Sequence, residues 1–429
     1  MDHRRPEKRC RTTPPPLTAG VALPDDLIFM EILVRLPVKC LLRFKCVCRS
    51  WRARMQDAGF VRRQCDFSRT SRPPSMLVVA RKNAYNDEED EELSEPEDIA
   101  FYRLRPGHKP GDFETKPAEL LLDKAACPPE AAGVTDAIHA AHCDGLVALA
   151  TTTNQVFVCN PATQELVALP LGSPDVDTDK FPSVAIGFDR WRDQYVIARY
   201  FYRRWCYDKS RRKLDYDIGH EVFALGGSDS WSWELTVDPP HSIGGTPPVC
   251  VGDAFYWACD DLEDPCPSSL LRFGLRDRTF DDLVPCPPHF AYNAALDHLA
   301  ELDGKLCHTN NGASLTTFEV WQLADGDDTQ PAQWSLRCRI DPGPLYDEGF
   351  GCYGFQPLWA SRGGMLVRVS DNDEMLYWCD EKGRGVEEVL DLEDDVDSEH
   401  DKELKNHVYH VVPYRESLVP ITPSNVIKV

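Results

Sequence analysis

Two hydrophobic rhythms divide the chain. Between residues 21 and 66 apolar positions recur at helical spacing, and beyond residue 75 they gather into short runs broken by turn residues. Three-to-four spacing lines one face of a helix, whereas short runs bounded by Gly, Pro, Asn and Asp mark strands. The pattern therefore predicts a small helical zone followed by a long β zone.

Within the β zone, VFVCNPATQELVAL (156–169) is two apolar runs around Asn160-Pro161-Ala162-Thr163, where Pro presets the backbone angle of a turn. The same strand–turn–strand outline begins again at 221, 270, 318 and 375, at spacings of 65, 49, 48 and 57 residues. A Gly precedes an apolar run in CDGLVAL, VGDAFYWAC, LDGKLCHT and RGGMLVRV (Gly145, Gly252, Gly304, Gly364). Each unit reads as a turn, an inner strand, a loop and an outer hairpin, or roughly four strands per 50 residues, the period of a β-propeller blade. Residues 184–202 supply one unit and 75–140 another, which predicts about six blades. Ordinary kelch repeats fit less well, because the Gly-Gly pairs at 226–227, 244–245 and 363–364 keep no blade period. Trp231, Trp233, Trp257, Trp321, Trp334, Trp359 and Trp378 fall mostly in strand runs and are expected between blades. One or two at loop ends would instead line a binding surface, where aromatic anchors dominate interface energetics.

The helical zone opens with LPDDLIFMEILVRLP (23–37). Pro24 suits a first helical turn, and Asp25 and Asp26 complement the positive end of the helix dipole. Leu27, Met30 and Val34 form one apolar stripe, Ile28 and Ile32 a second, and Phe29, Leu33 and Leu36 a third. Pro37 starts a new segment, with Val38, Leu41 and Leu42 in its first part and Val47 and Trp51 in its second, giving a three-helix unit. So small a unit has little interior, and three stripes exceed what it can bury. Two readings remain open: the helix docks on the following β domain, or it fills a groove on a separate protein.

Charge sharpens the division. Residues 1–72 carry 16 Lys/Arg against 7 Asp/Glu, whereas the whole chain stands at −23. An acidic body is unsuited to phosphate contacts, so no nucleic-acid partner is expected. The polar, proline-bearing residues 1–20 are expected to be disordered, with HRRPEKRCR as a basic patch. DEEDEELSEPED (87–98), with nine acidic residues of twelve, is expected to be a solvated loop. No apolar run approaches the ~18 residues of a membrane span, and no signal-peptide pattern opens the chain. The 17 cysteines show no framework spacing and are expected to be reduced thiols.

Candidate chemistry is sparse. His139, His142 and Cys143 are close in sequence, but three-residue spacing on a strand opposes two side chains, and no second ligand pair follows. No metal or cofactor is expected. Cys46 and Cys48 read as small apolar packing groups, and Asp260-Asp261 and Asp281-Asp282 as solvated turns. Gly-x-Ser-x-Gly, P-loop and His-Glu-x-x-His motifs do not occur.

Residues 22–55 resemble the F-box through Leu23-Pro24-Asp25-Asp26, Ile32-Leu33-Val34-Arg35-Leu36-Pro37 and Cys48-Arg49-Ser50-Trp51. The remainder resembles the plant F-box-associated domain. It does so through Cys143-Asp144-Gly145-Leu146 with Asn160-Pro161-Ala162-Thr163, and Ile186-Gly187-Phe188-Asp189 with Tyr195-Val196-Ile197. Ala254-Phe255-Tyr256-Trp257, Phe318-Glu319-Val320-Trp321 and Tyr414-Arg415-Glu416-Ser417-Leu418 extend the match. The resemblance implies an α+β multidomain chain: a tail (1–20), a three-helix F-box (21–66) and a mainly antiparallel β-propeller of about six blades (67–429). It further implies a non-catalytic substrate receptor of a Skp–cullin–F-box ubiquitin ligase, in cytoplasm or nucleus. The Skp adaptor contacts would be Leu23, Pro24, Leu27, Ile32, Leu33, Leu36, Pro37, Leu41, Val47, Cys48 and Trp51. The target, held by the propeller, is unknown. The alternatives are a propeller enzyme and an adaptor-bound regulator acting outside a ligase.

Overall fold

The computed structural model describes residues 23–71, 73–82, 99–105, 118–123, 137–176, 183–208, 210, 213–226, 231–260, 268–281, 283–287, 297–311, 317–324, 333–341, 354–361, 363–370, 375–383, 385–392 and 407–421. The 1–20 tail and the acidic run 87–98 lie outside them.

The N-terminal unit holds four helical segments rather than three. The first is composite: α1 (Asp25–Leu27) passes into a π turn (Ile28–Ile32) and a 3₁₀ turn (Leu33–Arg35). Leu36 leaves it in extended geometry (φ −84°, ψ 150°), as a residue before proline must to avoid the Pro ring. Then follow α2 (Val38–Phe44), α3 (Arg49–Met55) and α4 (Ala58–Ser71). Cys48 Sγ accepts the Trp51 N–H at the start of α3, and Asp57 Oδ1 accepts the N–H groups of Gly59 (3.0 Å) and Phe60 (3.3 Å) at the start of α4. Phe29 sits edge-on to both Trp51 (5.5 Å) and Phe60 (6.0 Å), which closes the small core.

The described strands form six antiparallel sheets. Blade 1 contains β1 (Ser75–Lys82), β2 (Ile99–Leu104) and β3 (Glu119–Asp123). Blade 2 is β4 (Ala137–Cys143), β5 (Leu146–Thr151), β6 (Val156–Asn160) and β7 (Glu165–Ala168). Blade 3 is β8 (Ala185–Asp189), β9 (Gln194–Asp208), β10 (Lys213–Leu225) and β11 (Glu234–Leu235). Blade 4 is β12 (Val249–Val251), β13 (Ala254–Ala258), β14 (Ser269–Gly274) and β15 (Thr279–Phe280), with β16 (Val284–Pro285) also on β14. Blade 5 is β17 (His298–Leu302), β18 (Lys305–Asn311), β19 (Phe318–Leu323) and β20 (Trp334–Ile340). Blade 6 is β21 (Gly354–Ser361), β22 (Gly364–Ser370), β23 (Met375–Asp380) and β24 (Val386–Asp391). Finally β25 (His407–Tyr414) returns to pair with β1 and completes blade 1.

The first strands of the sheets, β25, β4, β8, β12, β17 and β21, touch one another in a closed ring. The middle strands of a blade are covered on both faces by its neighbours, so they are buried along their length rather than alternately: every residue of β5 and β6 is inside, whereas outer strands such as β20 and β24 are partly exposed. That is why the middle strands read as continuous apolar runs. The periodic starts at 156, 221, 270, 318 and 375 all fall on the third strand of a blade. The glycines fall in the hairpins between first and second strands; Asp144-Gly145 (φ 49° and 81°) and Asp303-Gly304 (φ 55° and 79°) adopt the left-handed pair that a two-residue hairpin requires. The 75–140 unit is corrected in one respect. Its last strand, β4, opens blade 2, and blade 1 takes its fourth strand from residues 407–414.

Trp257 is fully buried between blades, while Trp231, Trp233, Trp321, Trp334, Trp359 and Trp378 are half-buried. Arg199 and Glu221, both almost fully buried, are paired at 2.7 Å. Ser173 donates to Glu221 through its N–H (3.0 Å) and hydroxyl (2.8 Å), which pins the blade 2–3 crossover with no charge left unmatched.

Candidate functional site

The composite first helix distributes its stripes unequally. Phe29, Leu33 and Val34 point inward and share a core with Val38, Leu41, Met55, Phe60, Val61 and Cys65. Leu27 and Ile32, 48% and 45% exposed, point outward, as do Leu23 (55%) and Val47 (61%). These are four of the eleven large apolar side chains that stand exposed among the described residues. Three of the four lie within ten residues at the start of the helical unit.

Of the residues singled out in the sequence, Leu23, Pro24, Leu27, Ile32, Pro37, Val47 and Cys48 are exposed. Leu36 and Trp51 are half-buried and pack against the core. Leu33 (3% exposed) and Leu41 (0%) are interior and support the surface from beneath. Cys46 and Cys48 are corrected: both thiols are exposed rather than packed, and Cys48 serves as the cap of α3.

The surface is braced by charge. Arg54 on α3 reaches both Asp25 (3.5 Å) and Asp26 on α1 and lies 4.4 Å over the Phe29 ring. Glu31 and Arg35 pair at 3.1 Å one helical turn apart. Arg43, Arg49 and Arg52 are exposed around Val47 and make no ion pair among the described residues. The outward face is thus apolar with a cationic margin.

The propeller does not cover this face. It meets the other side of the helical unit, at the end where first and second strands are joined. Arg69 on α4 makes a two-pronged contact with Asp144 of the β4–β5 hairpin, with Nε to Oδ1 at 2.8 Å. The Tyr195 hydroxyl donates to the same carboxylate at 3.0 Å. Arg62 pairs with Asp193 and lies 5.1 Å over Phe188. Asp144 raises the Arg69 pKa against the lowering effect of burial, so this guanidinium is permanently charged. These α4 contacts were not legible in the sequence, because a lone Arg on a helix carries no sign of its partner.

Chemistry elsewhere is muted. Burial depresses His139, His142, His298 and His308 to a pKa of about 4 and His220 to about 3. His139 and His142 pair across the sheet with Ala150 and Val147. Among the described residues no three His, Cys, Asp or Glu side chains converge on a metal-sized space. The thirteen cysteines of the described residues are free thiols. Asp260 is corrected from solvated to buried, with its N–H on the Ser242 carbonyl at 3.0 Å. Among the described residues no helix is long and apolar enough to cross a membrane.

The comparisons with known proteins agree with this architecture. Residues 22–63 match the F-box domain, and residues 114–421 match the F-box associated beta propeller domain. F-box protein At1g11270 of Arabidopsis thaliana is 26% identical over 313 residues, covering 70% of this chain and 86% of the relative. F-box protein At1g47810 of the same plant is 25% identical over 339 residues, covering 74% and 87%. Of a third Arabidopsis relative, 23% identical over 319 residues, the chain spans only 63%. With the larger match spanning most of the chain, this protein belongs to the F-box associated beta propeller family and carries an F-box domain ahead of the propeller.

Proposed function

We propose that the chain is the substrate-recognition subunit of a Skp–cullin–F-box ubiquitin ligase. The observation that carries this reading is the uncovered apolar face of Leu23, Leu27, Ile32 and Val47 on an F-box whose opposite side is occupied by the propeller. Full burial of such a side chain contributes about 1.5–3 kcal/mol, so four anchors supply several kcal/mol before association costs. Pro24, Pro37 and Cys48 border them, and Arg43, Arg49 and Arg52 favour an adaptor with an acidic rim. Leu33 and Leu41 act indirectly, by holding the face in shape. Through the adaptor the chain joins a cullin, in cytoplasm or nucleus. A target protein is held by the propeller.

The role is positional. It raises the effective concentration of a target lysine near the conjugating enzyme and supplies no acid, base or nucleophile. The test is co-purification of the full chain with a Skp-family adaptor. Leu27→Asp and Ile32→Asp place charges on exposed positions and leave the core intact, so each is expected to weaken binding at least about tenfold, a loss near 1.4 kcal/mol. Undiminished binding by both variants, or none by the wild type, overturns the proposal.

A further inference from the structure

The Tyr414-Arg415-Glu416-Ser417-Leu418 motif has no part in the adaptor face, yet it lies where three parts of the molecule meet. Tyr414 ends β25, whose eight-residue ladder with β1 runs from Ser75↔Tyr414 to Lys82↔His407 and closes the ring. The residues after it turn to the F-box. Arg415 donates to the Ser68 carbonyl of α4 at 3.0 Å. Glu416 accepts the Val38 N–H at the start of α2 at 3.0 Å, and its other oxygen takes Arg103 of blade 1 at 2.6 Å. Leu418, Val419 and Ile421 are buried in the same core as Phe29, Leu33 and Phe60 of the F-box and Leu146 and Ile197 of blades 2 and 3.

Blade 2 grips the segment from behind. The Asn160 amide, fully buried, donates to the Ser417 carbonyl (3.2 Å) and the Val419 carbonyl (2.9 Å). A Cβ at Gly145 would stand 2.5 Å from the Arg415 carbonyl oxygen and 2.8 Å from Ser417 Oγ, so the hairpin that holds Asp144 is shaped to the segment as well.

We infer that residues 414–421 are a coupling element: they fix the F-box on the propeller and do so only when the ring is closed. The F-box, first in the chain, gains its seat from the last strand of the ring. Asn160, Arg415 and Glu416 are positioning residues, setting the direction in which the propeller faces relative to the adaptor surface. Use of that direction in a ligase rests on the function proposed above; the coupling itself is independent of it.

Hydrogen exchange on the full chain separates this from direct docking through Arg69–Asp144 and Arg62–Asp193 alone. Asn160 makes no hydrogen bond to an F-box residue among the described residues, and Asn160→Ala removes the grip on Ser417 and Val419. The coupling predicts that α4 amides then exchange at least about tenfold faster while β13 and β14 keep wild-type protection. Direct docking predicts no change in α4, and that result overturns the inference. Should β6 amides also accelerate in this variant, Arg415→Ala decides by the same reading, since its side chain crosses to Ser68. Adaptor binding, measured in parallel, stays within about twofold in both variants. A failure of the ligase reading would appear there in the wild type and leave the exchange result standing.

Discussion

Ile32 and Leu33 are neighbours in sequence and opposites in role. Leu33 is 3% exposed and packed in the shared core, whereas Ile32 is 45% exposed. Leu33→Ala is therefore expected to cost about 2–5 kcal/mol in urea unfolding of the full chain, through lost contacts and a cavity. Ile32→Ala is expected to stay within about 0.5 kcal/mol, because Ile32 is exposed and lies outside the buried core. Equal losses for the two would refute the assignment of inner and outer stripes. Both residues carry the same chemistry, so the sequence could state that the segment is too apolar for its size but not which side chain turns out. Gln64 shows the same limit: it is polar, yet 3% exposed on the buried side of α4.

At the scale of elements, the departure from a regular helix explains that limit. Advancing by 3.6 residues per turn keeps stripes apart, but a π turn at Ile28–Ile32 and a 3₁₀ turn at Leu33–Arg35 change the phase midway. No stripe computed from one period survives both turns. The helical character of the zone was legible, but the caps were not: Cys48 reads as a packing group, and nothing in the sequence singles out Asp57. Asp57 accepts two otherwise unpaired N–H groups of α4, so Asp57→Ala is expected to cost about 1 kcal/mol, read as a lower urea midpoint. No shift in that midpoint would mean that water replaces the cap without loss. The blades were legible for a different reason. Burial on both faces writes β5, β6, β13 and β22 as apolar runs, and each hairpin glycine or Asp-Gly pair punctuates them. Only the closing strand of blade 1 escaped, because β1 and β25 lie far apart in the chain, and a ladder between residues 75–82 and 407–414 leaves no spacing to read.

The whole molecule has an acid side and an alkaline side set by burial. His139, His142, His220, His298 and His308 are neutral in the folded chain, with pKa values near 3 to 4 against 6.5 for an ordinary histidine. Below pH 6.5 the unfolded chain binds protons that the folded chain refuses, so stability is fully present above 6.5 and falls as pH drops toward 4. Each such histidine contributes a slope of up to about 1.4 kcal/mol per pH unit. Glu119 acts in the same direction at lower pH. Burial would raise it, but Arg103 and Arg105 hold it at about 2, so its contribution is lost below the ordinary 4.5. Burial pushes the Cys65, Cys250, Cys307 and Cys379 thiols up to about 12, which removes stability as pH rises above 9. Urea midpoints measured from pH 7.5 to 4.5 are expected to fall steeply below 6.5; a flat profile would contradict the burial of these imidazoles.

The sequence by itself determined a helical head, a ring of repeated four-stranded units and an excess of apolar surface near residue 30, because helix period, turn chemistry and two-sided burial are local and leave local marks. Only the tertiary structure decided which apolar side chains face outward, which strand closes blade 1 and what seats the F-box. Those depend on contacts between residues such as Val38 and Glu416 or Asn160 and Val419, hundreds of positions apart, whose pairing free energy exists only once the ring has formed.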